Sequence, residues 1–260
     1  CRVGGEGWGN YNTHTRGSFS FADAADGGMI NHYYPNTQMN FAEGCGMTNV
    51  PIISHETGQF QIYPDYNEIS KYTGVLYPYN LEVFRSRLEK VGMLDQASDF
   101  HKASGLWALQ LYKQDMEMDL RTHNMAGFQL LDLQDYPGQG SAYVGILDAF
   151  MQSKGLCTER EWRGWCSEVV PLLIAPKFCF TNKEGLHAII QVANYSGTSL
   201  KGKTLSWNLD GKQGIITLPQ GEGLINVGAL DVDLSDYNKA TQLKLVLQVE
   251  GTDYRNSYNL

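Results

Sequence analysis

The feature that most constrains this chain is a change of hydrophobic period at Pro176. Before it, apolar residues recur at helical spacing between short, wholly apolar runs; after it, they alternate one by one. Helical spacing follows from 3.6 residues per turn and alternation from the two-residue repeat of a strand, so no single layer accommodates both. The chain reads as two architectures in series, and 260 residues give each enough length to bury a core.

In the first part, Val50-Pro51-Ile52-Ile53-Ser54 is an apolar run closed by polar His55-Glu56-Thr57-Gly58, as in a buried parallel strand that delivers polar groups at its C-terminal edge. Leu81, Phe84, Leu88 and Val91 then mark one helix. A second, from about Asp95 to Arg121, carries Phe100, Ala103, Trp107 and Leu111 on its expected buried side. Gly127-Phe128-Gln129-Leu130-Leu131-Asp132-Leu133 is another buried run, ending in Gln134-Asp135 ahead of the turn Tyr136-Pro137-Gly138. Strand, helices, strand is α/β grammar. Residues 1–50, rich in Gly, Asn, Tyr, Phe and His, read as long loops over a site. Thr158-Glu159-Arg160-Glu161 is a capping box for a short helix to about Val170. Past Pro176, Leu186, Ala188, Ile190 and Val192 alternate, as do Leu243, Leu245, Leu247 and Val249, with Gly-rich turns between runs. The expected division is α/β over 1–155, a helical linker over 156–176 and a β-sandwich over 177–260.

Charge and motif content remove several function classes. With 20 basic against 28 acidic side chains and no run of Lys or Arg, the chain lacks the basic face that nucleic acid or an anionic membrane requires. No stretch approaches the ~20 consecutive apolar residues of a membrane span. The five cysteines are irregularly spaced without a C-x-x-C pair, which indicates neither a zinc site nor a disulfide framework. His55-Glu56-Thr57-Gly58-Gln59 has Gln59 where a zinc protease needs its second His, and Gly138-Gln139-Gly140-Ser141-Ala142-Tyr143 breaks the dinucleotide fingerprint at its last Gly. There is no P-loop and no G-x-S-x-G elbow. Neither a metal nor a cofactor is expected.

What remains is carboxylates at strand ends. Alternation places Ile52, Ser54 and Glu56 on one face and Ile53 and His55 on the other, so Glu56 is expected to project from the strand end toward a site. Glycoside hydrolysis uses such groups: one carboxylate attacks or stabilises an oxocarbenium-like centre and a second protonates the leaving oxygen. Asp132, Gln134, Asp135 and Tyr136 at the end of the next strand, with Trp8, His14, Arg16 and His32 in the opening loops, offer hydrogen bonds and stacking surfaces to a sugar. Trp207 is expected in the sandwich core instead.

Pro51-Ile52-Ile53-Ser54-His55-Glu56-Thr57-Gly58, followed about 70 residues later by Gly127-Phe128-Gln129-Leu130-Leu131-Asp132, resembles the seventh and eighth barrel strands of glycoside hydrolase family 2, the β-galactosidase-like family. Upstream, Cys1-Arg2-Val3-Gly4-Gly5-Glu6-Gly7-Trp8-Gly9-Asn10-Tyr11-Asn12-Thr13-His14 is similar to the end of strand six and its loop in Bacteroides-type members. Downstream, the segment from Pro176 through Val192-Ala193-Asn194-Tyr195 and Trp207 resembles their post-barrel immunoglobulin-like domain. The resemblance implies the C-terminal portion of a (β/α)8 TIM barrel, strands six to eight, followed by an immunoglobulin-like sandwich. It implies Glu56 as the nucleophile of a retaining mechanism.

The family's acid/base is a Glu preceded by Asn at the end of strand four, whereas the one Asn-Glu here is Asn67-Glu68, after strand seven. The strand-eight end also lacks the family's aromatic floor. A whole barrel takes ~250 residues and the α/β part here has about 155, so a fragment is expected, inactive alone and completed by upstream domains of the same parent protein. The expected partner is a carbohydrate, and the expected location is the periplasm or exterior of a bacterium. The competing reading is a non-catalytic carbohydrate-binding or interaction module.

Overall fold

The computed structural model describes residues 2–5, 32–46, 49–137, 140 and 142–260, which fall into two compact units. One comprises residues 1–54, 116–128 and 159–260; the other comprises 55–115 and 129–158. Three elements run through both: strands β2 (Ile52–Gly58) and β3 (Met125–Leu131) and the long helix α3 (Ala97–Leu120). With β1 (Arg2–Gly5), the two strands form a three-stranded sheet in the order β1-β2-β3. Among the described residues no closed barrel is present.

The first unit is dominated by two antiparallel sheets. One has the order β4-β5-β8 and the other β10-β9-β6-β7, where β4 is Val169–Ile174, β5 Leu186–Asn194, β6 Thr204–Leu209, β7 Lys212–Thr217, β8 Gly223–Val232, β9 Lys244–Val249 and β10 Arg255–Asn259. Their inward faces share one core. Leu186, Ala188, Ile190 and Val192 from β5 meet Leu205 and Leu209 from β6 and Leu245, Leu247 and Val249 from β9; all are buried, those of β5 and β9 as the alternation predicts. Each such side chain removed from water contributes about 1.5–3 kcal/mol, which makes this core the main source of the unit's stability. The β6–β7 hairpin turns on Asp210-Gly211, both at positive φ (48° and 91°), the two-residue turn whose twist matches the flanking strands. Trp207 is half-buried against this core and spreads over Gly214, its register partner, where a Cβ would lie 2.7 Å from the indole.

The expected helical linker differs from what is seen. Helix α4 spans only Glu159–Trp162, and residues 169–174, including Pro171, form strand β4. Every side chain of Val169-Val170-Pro171-Leu172-Leu173 is buried, so there is no alternation to betray a strand. Proline is tolerated because β4 is an outer strand of its sheet, paired only with β5 in that order, and its missing N–H costs no ladder bond.

The same unit takes in residues 37–54 and 116–128 beside the two sheets. Thr37 accepts from and donates to Ala175 (Ala175 N to Oγ1 2.7 Å; Thr37 N to Ala175 O 3.0 Å). Phe41, in the turn before α1 (Ala42–Gly46), donates its N–H to Thr122 Oγ1 at 2.9 Å. At the end of α3, Glu117 is fully buried and accepts from Asn256 Nδ2 at 2.7 Å and from the Tyr258 hydroxyl at 3.0 Å. The Thr37–Ala175 and Glu117 ties cross the sequence boundary expected near residue 155, where the hydrophobic pattern gives no sign of them.

In the second unit, α2 (Tyr79–Lys90) buries Leu81, and Val91 caps it in the open at 66% exposure. On α3 the expected stripe is displaced: Ala103 and Trp107 are exposed, while Ala108, Leu109, Leu111 and Tyr112 are buried. Size alone does not set the buried face. Trp107 is the largest apolar side chain of the helix, but the covered face is set by Tyr112, which packs edge-on against Phe60 at 5.1 Å. Strand β3 is also less buried than its composition suggests, only Met125 being fully covered, because it is an outer strand in the order β1-β2-β3.

Candidate functional site

The second unit holds Glu56 and the carboxylates that follow β3. Ile52 and Ser54 are buried on one face of β2 and Ile53 and His55 are half-buried, so alternation holds through residue 55. It breaks at Glu56, whose φ of 56° lies in the left-handed region, followed by Gly58 at 104° and Gln59 at 64°. Two non-glycine residues in that region within four positions store backbone strain, which native folds hold mainly where a site requires it. The Glu56 side chain is 27% exposed. Its Oε1 lies 3.6 Å from His55 Nε2, and its Oε2 receives the Gln59 side-chain amide at 3.4 Å; that amide also reaches the Glu56 carbonyl at 3.4 Å. His55 Nδ1 in turn faces Gln129 Oε1 of β3 at 2.9 Å. Both carboxylate oxygens are thus flanked by nitrogen, and one flank is anchored on the neighbouring strand.

The residues after β3 divide by environment. The Leu131–Asp132 peptide is cis. Asp132 and Gln134 are half-buried, and Gln134 forms a parallel bridge with Leu147. Tyr136 is 53% exposed and available for stacking. Asp135 is not available to a sugar. It is 3% exposed, its Oδ1 accepts from Gly145 N at 3.0 Å, and Lys154 Nζ sits 2.8 Å from both of its oxygens. A carboxylate engaged in this way fixes the loop that carries Tyr136. Gly145 must be glycine here, since a Cβ would fall 2.2–2.5 Å from the backbone of Gln134 and Asp135.

Glu68, the residue of the misplaced Asn-Glu pair, is turned into the same interior from the 3₁₀ helix Tyr66–Lys71. It is 4% exposed and its Oε1 accepts the Tyr72 hydroxyl at 3.0 Å. Burial pushes its carboxyl above the usual carboxylate range, with Asp135 and Asp148 adding to the rise and Tyr72 and Lys154 opposing it. For Asp148, burial alone would act upward, but Lys71 and the backbone N–H groups of Gln152 and Phe150 outweigh it and hold the group low. Nearby, Asn80 donates to the hydroxyl of Tyr143, whose pKa burial raises to about 12. This is an interior polar cluster, not an open acid.

Of the other expected site residues, His32 is exposed and belongs to the first unit, whereas Trp8, His14 and Arg16 lie outside the described residues. His55 and Gln59, which flank Glu56 here, and Gln129, which holds His55, carry no site signal of their own in the sequence. Gln59 stands there only as the residue that spoils a zinc motif, and His55 only as the opposite face of the strand. Among the described residues no group of three or more His, Cys, Asp or Glu side chains is arranged to hold a metal ion, and no helix is long and apolar enough to cross a membrane.

Comparison with curated proteins finds no match to this chain. A family model described as a domain of unknown function (DUF8488) matches residues 184–260, which takes in strands β5 to β10 and leaves out β4.

Proposed function

We propose that this chain carries the nucleophile half of a retaining glycoside hydrolase centre of the β-galactosidase-like type, with Glu56 as the nucleophile. In this reading β2 and β3 are the seventh and eighth strands of a TIM barrel, and the two antiparallel sheets are an immunoglobulin-like domain. The single observation that carries it is the left-handed backbone at Glu56, which leaves a part-exposed carboxylate, flanked on both oxygens, near the end of β2. Glu56 Oε attacks the anomeric carbon as the bond from that carbon to the leaving oxygen breaks, giving a glycosyl ester; water then cleaves the ester. The acid/base carboxyl comes from outside this chain in this proposal, because Glu68, the one Asn-preceded Glu, is buried against Tyr72. The partner is a β-glycoside, and Tyr136 with Asp132 and Gln134 is its nearest expected contact on this chain.

The test exploits the missing acid. A 2,4-dinitrophenyl β-galactoside expels its phenolate without a proton, so the chain should release one phenolate per molecule and stall as the ester, for want of a base to activate water. Azide, which needs no base, should restore turnover and yield the β-glycosyl azide. Glu56→Gln should abolish both the burst and the azide reaction. Phenolate release unchanged by Glu56→Gln, or no burst at all, overturns the proposal and leaves a non-catalytic carbohydrate-binding role to be sought.

A further inference from the structure

We propose that Gln59 is the positioning residue of Glu56: its amide holds the carboxylate and the strand end together, and His55, oriented by Gln129, closes the other side. The inference rests on the reading of Glu56 as nucleophile and adds to it the groups that aim the attacking oxygen. A nucleophilic carboxylate must reach the anomeric carbon within a few tenths of an ångström of the productive position, yet a Glu side chain has three rotatable bonds. Something must remove that freedom. Gln59 Nε2 lies 3.4 Å from both the side-chain Oε2 and the main-chain O of Glu56, so a single amide spans the side chain and its own backbone.

The backbone makes this reach possible. Glu56 and Gln59 are both left-handed, at φ 56° and 64°, with Gly58 between them at 104°, which folds the chain back so that residue 59 faces residue 56. A strand continued in the ordinary β conformation would carry Gln59 about 10 Å onward and on the opposite face. The strain thus purchases one specific contact. On the other oxygen His55 Nε2 stands at 3.6 Å, an ion-pair separation and longer than a hydrogen bond, and its ring cannot swing freely because Nδ1 is held by Gln129 at 2.9 Å. Contacts of this length in a free site shorten when substrate arrives.

The experiment uses the whole chain and the dinitrophenyl β-galactoside, reading the burst rate constant and the concentration giving half its maximum. Gln59→Leu removes the amide. It should lower the burst rate constant about 10- to 100-fold, by analogy with the loss of groups that orient metal ligands, while half-saturation changes less than about twofold. Gln59→Asn separates aim from fold. Asn tolerates the left-handed region better than Gln, so its thermal midpoint should not fall, yet its amide is shorter by one methylene, about 1.5 Å. The burst should therefore slow with the fold intact, a split that a merely structural role does not produce.

A readout without sugar keeps this distinct from the catalytic proposal. Carbodiimide-driven coupling of glycine ethyl ester to Glu56, followed by peptide mass mapping, should change at least threefold in Gln59→Leu while Glu43 and Glu89 couple as before. If Glu56 gives a burst and both Gln59 variants match the parent, the positioning role is wrong and the nucleophile stands. If no burst occurs, the nucleophile reading falls, and the coupling rate decides whether Gln59 holds Glu56: a change upholds the hold, and no change overturns it.

Discussion

The ring of Tyr112 occupies the space that a side chain at Gly58 would need. A Cβ at Gly58 would lie 2.1 Å from the ring carbon Cε1, and the Tyr112 hydroxyl is fixed in turn by donation to Val144 O at 2.6 Å. The end of β2, two residues beyond Glu56, is therefore wedged against a fully buried aromatic of α3. The turn that presents Glu56 is thus backed by packing as well as by the Gln59 amide.

Gly58→Ala should consequently be destabilising by about 3 kcal/mol, combining the cost of a side chain at φ 104° with overpacking against a ring that cannot retreat. Urea unfolding of the two proteins measures it. Tyr112→Phe keeps the wedge and removes the hydroxyl that donates to Val144, so it should cost less, about 1 kcal/mol. A Gly58→Ala protein as stable as the parent would show that the strand end is free to shift.

The Asp135–Lys154 pair is buried on both sides, at 4% and 5% side-chain exposure. Removing one partner leaves the other charged and uncovered. Asp135→Leu and Lys154→Met should each cost about 3–5 kcal/mol, whereas the double replacement Asp135→Leu with Lys154→Met should recover much of the loss, because a buried pair offsets its desolvation only while intact. A double-mutant cycle by chemical denaturation gives the coupling. Additive losses would mean that the two groups are stabilised independently.

The acidity of Glu68 makes a signed prediction. Its folded carboxyl is raised above the usual 4.5, burial being the leading cause, so the folded chain binds that proton more tightly than the unfolded chain. The stabilising contribution is then fully present below the unfolded value and is lost as pH rises through the folded one. Asp148 acts in the opposite sense, being held low, which is why Glu68 must be isolated by difference. Glu68→Gln keeps an acceptor for the Tyr72 hydroxyl and cannot ionise. Its stability relative to the parent should grow as pH is raised from about 4.5 toward neutrality; an advantage that shrinks with pH would contradict the raised carboxyl.

How far the sequence could be read follows from these residues. Periodicity reports burial on one face, so β5 and β9 were legible from Leu186, Ala188, Ile190, Val192 and Leu243, Leu245, Leu247, Val249. It reports nothing where both faces are covered, as in β4, or where a large residue is left outside, as Trp107 is. Strand alternation predicts that Glu56 shares the face of Ile52 and Ser54 but cannot foresee a left-handed residue near the strand end. Hence Gln59 passed unnoticed, and Asp135 appeared open although Lys154, 19 residues on, closes it.

The sandwich offers the last prediction, because the family match at 184–260 begins after β4. Val169 and Leu173 of β4 are fully buried in the shared core, and β4 pairs with β5 from Val169↔Asn194 to Ile174↔Ile189. A peptide of residues 184–260 would leave the β5 edge unpaired and a trough where those two side chains were, each such loss costing about 2–5 kcal/mol. That is comparable to the whole stability of a small domain. Residues 165–260 restore the strand and its contacts. The longer peptide should unfold in a single cooperative transition and run as a monomer, while the shorter should lack that transition and associate through its open edge, as calorimetry and sedimentation would read. Equal cooperativity in both would mean that β4 is an accessory to the sandwich and that residues 184–260 are its complete folding unit.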